Sequence, residues 1–320
     1  MSQPHIGYTH WNNPRENTMP VVQINQPISV ADMGVAIEGR ANVWPEAGGL
    51  QLDFSAFGQQ EYFFDVFNRG VQTFNFEAKS SNNWMKLSTT AGKVDKQKRI
   101  QVTVDWAQLK EGDHKGYITI KGANLGQTKI AVTAFKAKQE TKTGFIEADG
   151  YVSIEAANTQ VGNNSPHAFW QEIPLHGRTH SSMSVTMPAN TSFADNILAA
   201  PYLEYDVYLF SSGELRLISL LAPSLNFANG PGLRFGVSID EQAVFVVDTL
   251  EHNSHQDCQQ GVIEGVREVT TTLDFKTPGQ HSLRIYAIDP GLVLQKIMID
   301  TGGLKSSYLG PPQSTFIAVK

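Results

Sequence analysis

At 320 residues the chain is long for one β-sandwich and comfortable for two domains, and 41% hydrophobic against 18% charged residues excludes a disordered protein. A net charge of -6 with no basic run argues against a nucleic-acid partner. No apolar run is long enough to cross a membrane, and the single cysteine, Cys258, excludes an internal disulfide framework.

The opening residues, MSQPHIGYTH, lack the charged and apolar regions of a signal peptide, and so polar a start fits a fragment cut from a larger protein. Residues 1–20 are rich in Asn, Pro and His without periodicity. They read as an extended arm, with Trp11 as an anchor on an apolar surface.

A first domain is expected over residues 21–136. Its clearest strand is Arg99–Trp106, where Ile100, Val102, Val104 and Trp106 share one face and Arg99, Gln101, Thr103 and Asp105 the other. Tyr62–Phe67, Thr73–Ala78, Gly116–Lys121 and Thr128–Phe135 are further strands, and Asn68-Arg69-Gly70 supplies a tight turn. Several strands at this spacing, with no long helical pattern, point to an immunoglobulin-like sandwich.

The segment KAKQETKT, Lys136–Thr143, shows no alternation, and residues 137–143 are expected as an exposed linker. A second domain then spans 144–320, opening on GFIEADGYVSIEA. There Val152, Ile154 and Ala156 face one way and Ser153 and Glu155 the other. Tyr202–Phe210, Leu215–Leu220, Leu233–Ile239, Ala243–Val247, Glu268–Phe275 and Ser282–Ile288 follow, and Leu292–Ile299 is placed to pair with Tyr151–Ala156. Eight or so strands with both ends of the domain meeting is a jelly-roll pattern. The fold class is therefore all-β, with two sandwiches behind an N-terminal arm.

Chemistry is harder to place. His252-Asn253-Ser254-His255-Gln256-Asp257-Cys258 has zinc-type ligands three apart, but no fourth, and reads as a polar loop between strands. Glu204 and Asp206 share a strand face, as a hydrolase pair does and as any solvent face does. The stretch WQEIPLHGRTHSSMSVTMP puts Trp170, Arg178 and His180 close together around Gly177. An aromatic face with a guanidinium is the chemistry that holds a sugar ring and its carboxylate. The competing reading makes Trp170 a core residue and Arg178 a bridge to the first domain.

HIGYTHWNNPRENTMP, YFFDVFNRG, GFIEADGYVSIEA, HGRTHSSM, PYLEYDVYLF and GLRFGVSID, with the closing run DPGLVLQKIMIDTGGLKSSYLGPPQS (Asp289–Ser314), resemble the C-terminal region of glycoside hydrolase family 115. That family comprises xylan α-glucuronidases, which remove 4-O-methyl-glucuronic acid from glucuronoxylan. The resemblance implies a catalytic barrel N-terminal to everything present here, so no catalytic residue carries over. It implies a secreted or periplasmic parent enzyme, and a plant cell-wall glycan or a catalytic glycosidase domain as partner.

The last domain is also similar to family-6 and family-35 carbohydrate-binding modules, in which the opening strand and an Asp near the final strand hold calcium. Glu155 matches the first of these acids. Ala157 and Gln295 stand where further acids would be, so no tightly held calcium and no other cofactor is expected. Two roles follow from the resemblance: a sugar-binding accessory module for glucuronoxylan, or a scaffold that packs on the catalytic part or builds a homo-oligomer. Hydrolysis by these domains alone is disfavoured, since no nucleophile–base or paired-carboxylate constellation is visible.

Overall fold

The structure, a computed structural model, describes residues 26, 28–41, 43–138, 142–228, 230, 232–251 and 254–318. The expected arm with Trp11, and His252 and Asn253 of the histidine-bearing segment, lie outside the described residues.

The chain is all-β, built as two β-sandwiches. In the first, a four-stranded sheet runs β1 (Met33–Ile37), β3 (Glu61–Asn68), β7 (Gln97–Val104), β5 (Met85–Leu87). It faces a five-stranded sheet of β2 (Gln51–Ser55), β9 (Gln127–Lys136), β8 (Gly112–Lys121), β4 (Phe74–Ser80) and β6 (Ala91–Val94). Alternation decides which side chains go inside. Ile100 and Val102 of β7 are fully buried against Phe64 and Val66 of β3, while Gln101 between them is exposed. Trp106, expected to continue that face, instead leaves the strand at a short 3-10 turn, and its indole N–H donates to Gln60 Oε1 at 2.6 Å.

The second sandwich has a larger sheet of β18 (Phe245–Asp248), β17 (Arg234–Ile239), β20 (Gly279–Ala287), β15 (Tyr202–Leu209), β10 (Gly144–Ile146) and β22 (Phe316–Ile317), with β12 (Gln160–Gly162) beside β15. Opposite lie β13 (Phe169–Ile173), β14 (Ser182–Thr186), β21 (Val293–Asp300), β16 (Gly213–Leu221) and β19 (Arg267–Phe275), with β11 (Tyr151–Glu155) beside β21. On β15 the residues Leu203, Tyr205, Val207 and Leu209 are wholly buried between the sheets. Each such side chain contributes about 2 kcal/mol of hydrophobic stabilisation. Tyr205 keeps its hydroxyl satisfied by donating to Ala156 O at 2.8 Å.

The opening and closing strands pair as their sequences suggest, antiparallel, with Tyr151 opposite Asp300 and Glu155 opposite Lys296. Both faces of β11 are covered, however. Val152 and Ile154 enter the main core, and Ser153 and Glu155 are buried beneath the segment that follows β21. Ser153 Oγ donates to Pro311 O, and Gln313 Oε1 accepts from the Glu155 N–H. A second, small core of Ile218, Leu220, Val266 and Met298, with Leu304 against it, fills the same outer side of this sheet.

The expected polar loop after β18 is in part a helix, α1 (His255–Glu264). Ser254 and Asp257 form a reciprocal capping box, in which Ser254 Oγ accepts from the Asp257 N–H while Asp257 Oδ2 accepts from the Ser254 N–H. The Ser254 hydroxyl also donates to Asp257 Oδ2 at 2.6 Å, and this bond, followed by the one from the Ser254 N–H, holds the Asp257 carboxyl below its ordinary value. Gly265 at φ 67° closes the helix.

Two of the lysines at the join, Lys136 and Lys142, are held rather than free, which corrects the expectation of a linker exposed throughout. Lys136 Nζ donates to Trp106 O and Leu109 O at 2.8 and 2.9 Å. Lys142 is 5% exposed, donates to Lys138 O at 2.6 Å and lies over the Tyr208 ring. Limited trypsin digestion should therefore cut first after exposed Lys138, with Lys136 and Lys142 resisting until the protein unfolds. Mass spectrometry showing early cleavage at Lys142 would contradict this.

Candidate functional site

The residues first considered for sugar binding do not form one face. Trp170 is in the inward register of β13, 4% exposed, and its indole N–H donates to Pro201 O at 3.0 Å. Its ring is core and cannot stack on a ligand. Arg178 does bridge, but not to the first sandwich. Its Nη2 reaches Glu264 Oε2 at 3.1 Å, Nε and Nη2 both donate to Glu264 O at the end of α1, and Nη1 donates to Tyr308 O at 2.6 Å. The guanidinium also lies 4.1 Å from the Tyr308 ring centre. With every arm engaged it fastens the helix and the closing segment to the sheet. His180 is exposed on the adjoining turn.

Glu204 is likewise occupied, accepting from Arg284 Nε at 2.8 Å and Ser282 Oγ at 2.9 Å. It belongs to a hydrogen-bonded outer face of β15, not to a free carboxylate pair.

Whether this framework suits calcium is decided at Glu155. Its Oε1 lies 3.0 Å from Lys296 Nζ and accepts from Thr179 Oγ1 at 2.7 Å. Lys296 is 2% exposed, and its ammonium also donates to Pro311 O at 3.0 Å. Gln295 spends its amide on the Arg178 N–H and on Gly265 O. A cation of this chain's own thus sits against the carboxylate. A divalent ion would meet that positive charge and one charged oxygen, where calcium takes about 6–8 oxygens. The residues present do not fit the ion. Among the described residues no group of three or more His, Cys, Asp or Glu is gathered to hold a metal.

A cleft of about 870 Å³ lies between the two sandwiches. The opening stretch of the second sandwich, GFIEADGYVSIEA, contributes Glu147, Asp149 and Tyr151 to its lining. Glu147, buried, accepts from the Phe210 and Ser211 N–H groups and from the Ser211 and Thr301 hydroxyls, which fixes the stretch to two neighbouring loops. Gly150, at φ 79°, then lies back to back with Gly303. A Cβ on Gly150 would come 2.5 Å from Gly303 Cα, and one on Gly303 would come 2.2 Å from Asp149 O. Only glycine permits this approach.

Asp149 reaches across to the first sandwich, its Oδ2 accepting from the Gln59 N–H at 2.9 Å. Its Oδ1 is buried without a partner. Burial raises the Asp149 carboxyl above its ordinary value, and the Asp53 charge adds to this, while the Gln59 hydrogen bond and Lys305 act against it. The join is completed by Thr315 Oγ1, which donates to Phe57 O, and by Phe210 edge-on to Phe135.

Tyr62 and Tyr151 bring phenols into the cleft from opposite sandwiches, beside Asp53, Arg40 and Lys305. Tyr62 shares the inward parity of Phe64 and Val66, but sits at the end of the core, edge-on to Phe54 at 4.8 Å. Tyr151 opens β11 on the side away from Val152. None of these was singled out from the sequence as a site residue. Their stretches, YFFDVFNRG and GFIEADGYVSIEA, carried the resemblance, and only the packing of one sandwich on the other brings them together.

Residues 144–313 match the family model described as glycosyl hydrolase family 115 C-terminal domain. No curated protein matches the sequence. Similar solved structures include a family GH115 4-O-methyl-α-glucuronidase with specificity for decorated arabinogalactans, at 17% identity and TM-score 0.37, covering 51% of this chain and 19% of that one. The C-terminal CBM6 of LamC from Zobellia galactanivorans matches at 16% identity and TM-score 0.32, over 47% of this chain and 98% of that module. A family 35 carbohydrate binding module from Clostridium thermocellum matches at 16% identity and TM-score 0.32, over 46% and 97%. The chain thus spans 19% of the first of these, the glucuronidase.

Proposed function

Since this chain belongs to the family of glycosyl hydrolase family 115 C-terminal domains, we propose that it is the non-catalytic accessory region of a xylan α-glucuronidase-like enzyme and holds a glucuronoxylan-type glycan in the cleft between its sandwiches. The observation that carries this is the cleft itself, with one tyrosine from each sandwich and polar side chains around them. Tyrosine rings cover the apolar face of a pyranose while their hydroxyls and nearby carboxylates bond to its rim. Such a site is expected to bind weakly, at about 4–6 kcal/mol, or millimolar to high-micromolar Kd.

Calorimetric titration of glucuronoxylan oligomers into the whole chain tests it. Wild type should bind, Tyr62→Ala should lose about tenfold or more, as expected for an aromatic anchor, and His180→Ala should bind as wild type. No 4-O-methyl-glucuronic acid should be released by this chain. Full binding by Tyr62→Ala would remove the cleft from the proposal. A second reading, a scaffold for the catalytic part, draws on the exposed Leu175, Val262, Ile263 and Tyr308 near the Arg178 junction. A wild type that binds no oligomer would favour it.

A further inference from the structure

Resting on that reading, we infer that the centre of the cleft takes an uncharged stretch of the glycan backbone and leaves any uronate side group outside. Two half-buried phenols from opposite sandwiches meet there, and neither hydroxyl has a hydrogen-bond partner among the described residues. Burial and then the Asp149 charge push the Tyr151 phenol up to about 12. Tyr62 is raised as well, by burial first and then by Asp149, Tyr151, Glu38 and Asp53. Both therefore stay neutral hydroxyls, able to donate and accept.

The same three carboxylates set the sign of the field. Glu38, Asp53 and Asp149 all act on the Tyr62 phenol, so negative potential fills the place where a ligand would touch it. The cations lining the cleft are Arg40, which already donates to Gly49 O at 3.3 Å, and Lys305, whose charge partly offsets Asp149. Glu147 is saturated by four donors. A uronate carboxylate brought against the phenols would face like charges, which costs affinity. Pyranose hydroxyls face the opposite balance. They can donate to Asp53, whose Oδ1 takes Gln51 and Thr133 and leaves Oδ2 open, and accept from the two phenols.

The test titrates three probes into the whole chain at low and high salt: an unsubstituted linear xylo-oligosaccharide, the same oligomer bearing 4-O-methyl-glucuronate, and free glucuronate. Both oligomers should bind with similar affinity that salt does not change, and glucuronate should not bind. Tyr62→Phe and Tyr151→Phe, with melting temperatures unchanged, should each weaken oligomer binding by about fivefold, one hydrogen bond's worth. Tighter binding of the decorated oligomer or of glucuronate, lost in high salt and in Lys305→Ala, would overturn the inference while leaving the glycan-holding role in place. Unchanged binding in both Phe variants would also overturn it. Absence of binding by every probe would sink the role and the inference together.

Discussion

Lys296→Met should be among the most damaging single substitutions in the chain, lowering stability by about 3–5 kcal/mol. The ammonium it removes is 2% exposed and holds three oxygens at once: Glu155 Oε1, Pro311 O and Leu309 O. Without it the Glu155 carboxylate stays buried with Thr179 as its one strong side-chain donor, and two carbonyls of the closing segment lose theirs. The cost comes mainly from that stranded charge, so removing both partners should hurt less than removing one. Thermal melts of Lys296→Met, Glu155→Leu and the double variant measure this. For a domain of this size the single substitution should lower Tm by roughly 10 °C. The double variant should recover part of the loss, and a strictly additive double variant would show that the pair is not coupled. Chelator should leave the wild-type Tm where it is, because the positive charge at Glu155 is covalently part of the chain.

Sidedness was legible where one face met core and the other met water. The alternation of Tyr202–Leu209 is reproduced residue by residue in its burial, and the pairing of the first and last long strands of the second sandwich was readable from their positions. Legibility failed where both faces are covered. Ser153, Glu155, Gln295 and Lys296 look like solvent-facing residues, yet all are buried beneath the closing segment and α1, which periodicity cannot place. The helix itself left a signal, Ser254 followed three residues later by Asp257, but a ten-residue polar helix has too weak an apolar stripe to stand out.

Trp170 could not be assigned from residue type, since indoles serve cores and ligands alike. Its inward register on β13 decides it. Short strands such as Met33–Ile37 and Gln51–Ser55 carry too few alternations to be distinguished from loops. The cleft was hidden for a different reason. It is a product of docking, built from Tyr62 on one sandwich and Asp149 and Tyr151 on the other, two stretches far apart in sequence and unremarkable one by one.

Asp289→Asn should cost about 3 kcal/mol at neutral pH, and the cost should shrink as the solution is acidified. Asp289 is 4% exposed and faces donors on both oxygens. Oδ2 accepts from Arg234 N and Nε at 3.0 and 2.7 Å, and Oδ1 accepts from Arg234 Nη2 and Ser192 Oγ at 3.0 and 2.8 Å. Burial alone would raise this carboxyl. The hydrogen bonds from Arg234 and Ser192, with the Arg234 charge, outweigh it and hold the group below its ordinary value. An asparagine would turn one acceptor into an amide aimed at donors and leave the half-buried Arg234 without the carboxylate it pairs with. A carboxyl depressed on folding binds its proton more readily in the unfolded chain. Its stabilisation is therefore complete above the unfolded value, about 4, and is lost as pH falls through the lower folded value. Urea unfolding of wild type and Asp289→Asn from pH 7 down to pH 3 should show two stability curves that converge in acid. A gap that stays constant across that range would mean the pair's contribution is packing rather than charge.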